Sequence, residues 1–191
     1  MKYFRFFRIG KLSAFGAPVY VHTSVFLVSA IVLLSAVKAP LMALSALLSY
    51  LSIIFIHEAG HALVARKLGL YVDRIDISWI HGCCHYQKPD YEWHDVLVSW
   101  GGVLAQLAVA TPVLLIGATG VLDSWSLFGP VWVFLGYVNL VIAALSALPG
   151  PGLDGTMMWR IVPIWLGLKK DERKHEKKRR KPSLTVVPKD E

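Results

Sequence analysis

The sequence predicts an all-α membrane protein: about four transmembrane helices, the last broken by a Pro-Gly turn, with a short cytoplasmic β-strand or hairpin after the second helix. Three observations carry this prediction. The 191-residue chain is 55% hydrophobic and only 17% charged, against about 25% charged in ordinary soluble domains. Its charges are segregated, with no Asp, Glu, Lys or Arg in residues 12–37, 39–56, 96–122 or 124–153. Each run is near or above the roughly 17–25 residues that cross a hydrocarbon core. Finally, Pro149-Gly150-Pro151-Gly152 interrupts the last apolar stretch, and a helix cannot continue through it.

The elements follow in order. Lys2, Arg5, Arg8 and Lys11 precede the first apolar run. That run has no small-residue cleavage site, so it reads as a retained span, roughly Val19 to Val37, rather than a cleaved signal. His22 at its start reads as an interfacial or packing residue. Lys38, Ala39 and Pro40 make a tight connection, and span two returns from about Leu41 to Ala65. Arg66 and Lys67 stop it, and Gly69 suits a helix C-cap. Ile75, Ile77 and Trp79 then alternate with Arg74, Asp76 and Ser78, the period of a strand. Tyr91 to Asp95 reads as interfacial. Span three runs from about Val96 to Ala118, with Asp123 in the short loop after it. Span four runs from about Phe128 to Leu148. Beyond the Pro-Gly break, Thr156 to Leu168 is too short for a span and reads as a second half-helix. Residues 1–168 form one core domain, and 169–191 a flexible basic cytoplasmic tail.

The charge balance narrows the partners. Lys169 to Lys181 holds nine Lys or Arg and three Asp or Glu, so this segment contributes +6 of the net +7. The high pI therefore does not mark a nucleic-acid surface. It marks an anchor beside the anionic lipid bilayer. The connections at 38–40 and 119–127 carry one basic residue between them. Four crossings then place both termini, and the 66–95 loop, in the cytoplasm. The expected location is a prokaryotic plasma membrane. The adjacent Cys83 and Cys84 make no disulfide framework. His81-Gly82-Cys83-Cys84-His85 matches no common zinc module, so it reads as local packing or a loop near an active-site entrance.

The chemistry lies at His57-Glu58-Ala59-Gly60-His61. Residues four apart share a helix face, so His57 and His61 can hold one metal ion. Glu58 falls about 100° around the helix, beside the metal without ligating it. A carboxylate in an apolar helix is costly and needs a partner. A catalytic zinc takes three protein ligands and leaves a position for water. Among the acidic residues only Glu58 and Asp154 sit within apolar segments, which makes Asp154 the third ligand of a single Zn²⁺. The plainer alternative for Asp154 is a helix N-cap, with 156–168 lying on the surface.

Several stretches together resemble the site-2 protease family of intramembrane metalloproteases. They are the His57–His61 motif, Leu153-Asp154-Gly155 after a Pro-rich break, and the segment Gly16-Ala17-Pro18-Val19-Tyr20-Val21-His22-Thr23. Ser99 to Gln106 also resembles the family's Ala-Gly-Pro-x-x-Asn stretch, with Gly102 for Pro and Gln106 for Asn. Asn139-Leu140 through Leu148-Pro149 resembles its approach to the Asp. The resemblance implies a zinc endopeptidase that cuts membrane-embedded segments of other proteins, with Glu58 as general base and acid. It implies oxyanion or substrate support near Asn139 and Ser146, where Ser146 stands in place of a family Asn. It implies a minimal form without PDZ or CBS modules. An extended substrate would pair with the strand at Ile75, Ile77 and Trp79 by edge addition. Two other functions fit parts of the pattern. One is a catalytically inactive relative that binds membrane partners, favoured by Ser146. The other is a metal or proton transporter using the same buried His and Asp residues, which would not need Glu58.

Overall fold

The computed structural model describes residues 6–79, 81–122 and 124–167; the basic tail and Asp123 lie outside them. Three helices are long and apolar enough to cross a membrane: α2 (Pro40–Lys67), α3 (Glu92–Ala118) and α4 (Phe128–Ser146). Pro40 opens α2 at a position where a missing N–H costs nothing. Helix α3 begins at Glu92, so the stretch expected to lie at the interface is its first turn. Within α4, Trp132–Val138 is π-helical.

The all-α expectation needs correction, because a four-stranded sheet stands beside the helices in the order β1-β2-β3-β4. Strand β1 (Phe6–Ala14) and strand β2 (Ala17–His22) form an antiparallel hairpin. Strand β2 pairs in parallel with β3 (Val72–Ile77), placing Val19 opposite Ile75 and Val21 opposite Ile77. Strand β3 pairs antiparallel with β4 (Gly82–Tyr86). The hairpin expected after the second helix is therefore present, as the second half of a larger sheet.

The first apolar run is not one helix. Its front half is β2, and α1 (Thr23–Ser35) supplies only 13 residues. A helix of that length reaches about 20 Å and six strand residues about another 20 Å. Together they match the roughly 42 Å of the 28-residue α2. The strand half is rich in β-formers (Val19, Tyr20, Val21), and its backbone finds partners on both sides in β1 and β3, which satisfies polar groups that lipid could not. His22 caps α1, its ring accepting from the Ser24 N–H at 3.2 Å.

The inner face of the sheet packs on α2. Ala17, Val19, Val21, Ile75 and Ile77 are buried with Ile54, Ala62 and Ala65 of that helix. The β3–β4 hairpin runs along α2 until the Tyr50 hydroxyl donates to the Trp79 carbonyl at 2.9 Å. Tyr50 lies about 25 Å along the axis from Lys67, so the hairpin tip passes the level of the His-Glu-x-x-His turn. Helices α2 and α3 cross at Gly60 and Gly101, where a Cβ on either would overlap the backbone of the other, as close helix approach in membranes favours. Past the Pro-Gly break the chain forms two short helices, α5 (Gly155–Met158) and α6 (Ile161–Trp165), instead of a single half-helix.

Candidate active site

His57 and His61 share the face of α2 that meets α3, Glu58 beside them lies under β4, and the Pro-Gly turn brings Asp154 to the histidines from nearly a hundred residues away. His57 Nε2 lies 2.8 Å from Asp154 Oδ2, His61 Nε2 lies 3.2 Å from the same oxygen, and the two ring nitrogens are 3.1 Å apart. Both imidazoles are largely buried, with side chains 14% and 8% exposed. Asp154 stands at the N-cap position of α5, yet its side chain makes no capping bond. It turns to the histidines, which excludes the plain N-cap reading.

The opposite ring nitrogens fix the chemistry of this cluster. His61 Nδ1 sits 2.7 Å from the Val98 carbonyl, and a carbonyl only accepts, so the ring proton is at Nδ1. His57 Nδ1 donates to Gln106 Oε1 at 2.9 Å. When neutral, rings held this way turn their Nε2 lone pairs toward each other and toward a carboxylate oxygen, 2.8–3.2 Å apart, so that one cation could be bound by all three. His57, His61 and Asp154 are the only group of three metal-ligating side chains found among the described residues. Two imidazoles and a carboxylate, each imidazole oriented through its other nitrogen, are a fitting donor set for a catalytic zinc.

Close packing shapes the centre. A methyl on Gly102 would lie 2.5 Å from His61 Nε2 and 2.8 Å from His57 Cε1. A Cβ on Gly82 would overlap the Glu58 side chain, so β4 lies directly over the buried Glu58. A cavity of about 470 Å³ opens here, with His57, Glu58, His61, Asp154 and Ser146 in its wall. Its apolar lining includes Ile53, Ile54 and Ile142, and β4 contributes Gly82, Cys83 and Cys84. The residues expected near an active-site entrance thus line the site itself. Burial, then the Glu58 charge, pushes the Cys84 thiol up to about 12.

Two expected roles change. Asn139 is fully buried, and both hydrogens of its amide are committed, to the Gln106 carbonyl at 3.1 Å and the Leu135 carbonyl at 3.2 Å. It has no donor left for a substrate. Ile75 and Ile77 lie in β3, which is paired on both sides, and Trp79 follows the strand. An added strand has no edge there; the free edge beside the site belongs to β4. Val98 and Gln106, which orient the two rings, carried no assigned role in the sequence. The signal for Gln106 was a polar residue in the middle of a charge-free helix.

No family model matches the chain. It is 29% identical over 175 residues to a protein of Synechocystis sp. that carries the provisional name zinc metalloprotease. The match covers 81% of this chain and 44% of that relative, so the chain spans less than half its length. The fold is similar to that of the site-2 protease from Methanocaldococcus jannaschii, with a TM-score of 0.61 at 18% identity over 83% of this chain and 71% of the other. The first comparison is to a protein named as a metalloprotease, and the second shows a shared fold.

Proposed function

We propose that this chain is an intramembrane zinc endopeptidase that hydrolyses peptide bonds in or near transmembrane segments of membrane proteins. The observation that carries the reading is the convergence of His57 Nε2, His61 Nε2 and Asp154 Oδ2 beside a buried Glu58 on apolar helices. Zinc, held by those three residues, supplies a Lewis acid for the scissile carbonyl and lowers the pKa of water toward 7. Glu58 accepts the proton of the attacking water and returns it to the leaving amine. The close approach of Gly82 holds its carboxyl in place. The apolar cavity wall limits water and receives an unwound apolar segment. Ser146, in that wall, offers a hydroxyl to the substrate carbonyl. The β4 edge beside the site takes the segment as an added strand. Both termini lie on the cytoplasmic side of a prokaryotic plasma membrane.

The test is cleavage of single-span membrane proteins in detergent by wild type and Glu58→Gln, with zinc measured in both. Wild type should cut and Glu58→Gln should lose about 100-fold or more in rate while keeping its zinc. If both bind zinc and neither cuts, the inactive partner-binding reading replaces this one.

A further inference from the structure

We propose that Gln106 is a positioning residue for His57: its side-chain oxygen fixes the ring so that Nε2 points at the metal position, and Asn139 in turn fixes Gln106. The inference rests on the reading that the three converging side chains hold zinc.

The two histidines are oriented by different means. His61 Nδ1 is held by the Val98 backbone carbonyl at 2.7 Å, a partner that no side-chain substitution removes. His57 Nδ1 is held at 2.9 Å by the Gln106 side chain. Gln106 is 0% exposed in a helix segment without charge, where a primary amide is costly to bury without a partner. Its Nε2 has no hydrogen-bond partner among the described residues. The amide is therefore kept for what its oxygen does. Accepting from Nδ1 selects the tautomer with a free Nε2 and stops rotation of the ring, the part that outer partners play for metal-ligating histidines.

The support continues one layer outward. Asn139 donates to the Gln106 backbone carbonyl at 3.1 Å and to the Leu135 carbonyl at 3.2 Å. It follows directly on the π-helical Trp132–Val138, where backbone bonds leave the i→i−4 pattern. Its side chain takes the Leu135 carbonyl and ties α4 to α3 at the residue that aims His57. This gives the buried Asn139 a role in place of substrate support.

The test compares wild type, Gln106→Met and Gln106→Glu. Met has nearly the same shape without an acceptor, and Glu restores one. Zinc affinity is read by competition with a chelator, the site by the visible spectrum of the cobalt-substituted protein, and folding by thermal melting. Gln106→Met should melt with wild type yet bind zinc about 10- to 100-fold more weakly, with altered cobalt bands. Gln106→Glu should recover most of the affinity. Nitrogen NMR of histidine-labelled, zinc-loaded wild type should find the His57 proton on Nδ1, whether or not the variants fold. Wild-type affinity in Gln106→Met, or a proton on Nε2, overturns the inference. Equal weakness in Met and Glu variants that both fold assigns Gln106 to packing alone. If wild type binds no zinc, the functional reading falls and takes this one with it.

Discussion

Gly102 shows how little room the proposed metal centre has. A methyl there would stand 2.5 Å from His61 Nε2, so Gly102→Ala must displace a ligand. Its zinc affinity should fall about 10-fold or more, whereas Gly129→Ala, which meets open space, should leave it unchanged. Equal affinities would show that the centre yields to α3. Cys84 gives a pH test. Thiolate is the reactive form, and a thiol pushed up to about 12 holds its proton through the alkaline range. In Cys83→Ser protein the alkylation rate of Cys84 should keep rising about tenfold per unit from about pH 8 to 10, where an ordinary thiol near 8.5 levels off. A plateau near pH 9 would mean that β4 leaves Glu58 often enough to expose the thiol. At this scale the sequence was legible where chemistry is local. His57, Glu58 and His61 sit on one turn, and Asp154 is an isolated charge. Val98 was not legible, and Gln106 stood out only as a polar residue in a charge-free helix that matched the family's Asn, because their contacts exist only once Gly60 and Gly101 let two helices touch.

Between elements, the decisive fact is which strand edge is free. Alternation at Ile75 and Ile77 announces a strand but not its neighbours. On one side Ile75 of β3 pairs with Val19, far back in the chain, and on the other with Cys84, just after it. The edge at β4 carries Cys83, exposed and reduced, which is a built-in probe. A substrate with one cysteine placed near the scissile bond should form a disulfide with Cys83 under mild oxidation, and Cys83→Ser should abolish it. Absence of a cross-link at every position scanned would remove strand addition at β4 from the mechanism. The first apolar run was misread for a related reason. Freedom from charge says that a segment is buried in lipid or protein, and it is silent on whether its backbone bonds run within the segment or to neighbours. The β-branched and aromatic residues at 19–21 were the available hint.

For the whole molecule, three helices are long and apolar enough to cross a membrane, and the proposed four passages require the strand-plus-helix segment of β2 and α1 to cross as well. An even number returns the chain to its starting side. Tags on the two ends should therefore be protected together in intact cells and exposed together after lysis; opposite behaviour would break the four-passage arrangement. The strand ahead of α1 has a consequence for biogenesis. A helix closes its own hydrogen bonds as it leaves the insertion machinery, but β2 depends on β3, synthesised only after α1 and α2. Until Val72–Ile77 arrives, one side of the N-terminal segment has no partner. The molecule is therefore assembled out of chain order: α2 can settle before β2, and the sheet beside the His57–His61 turn closes late.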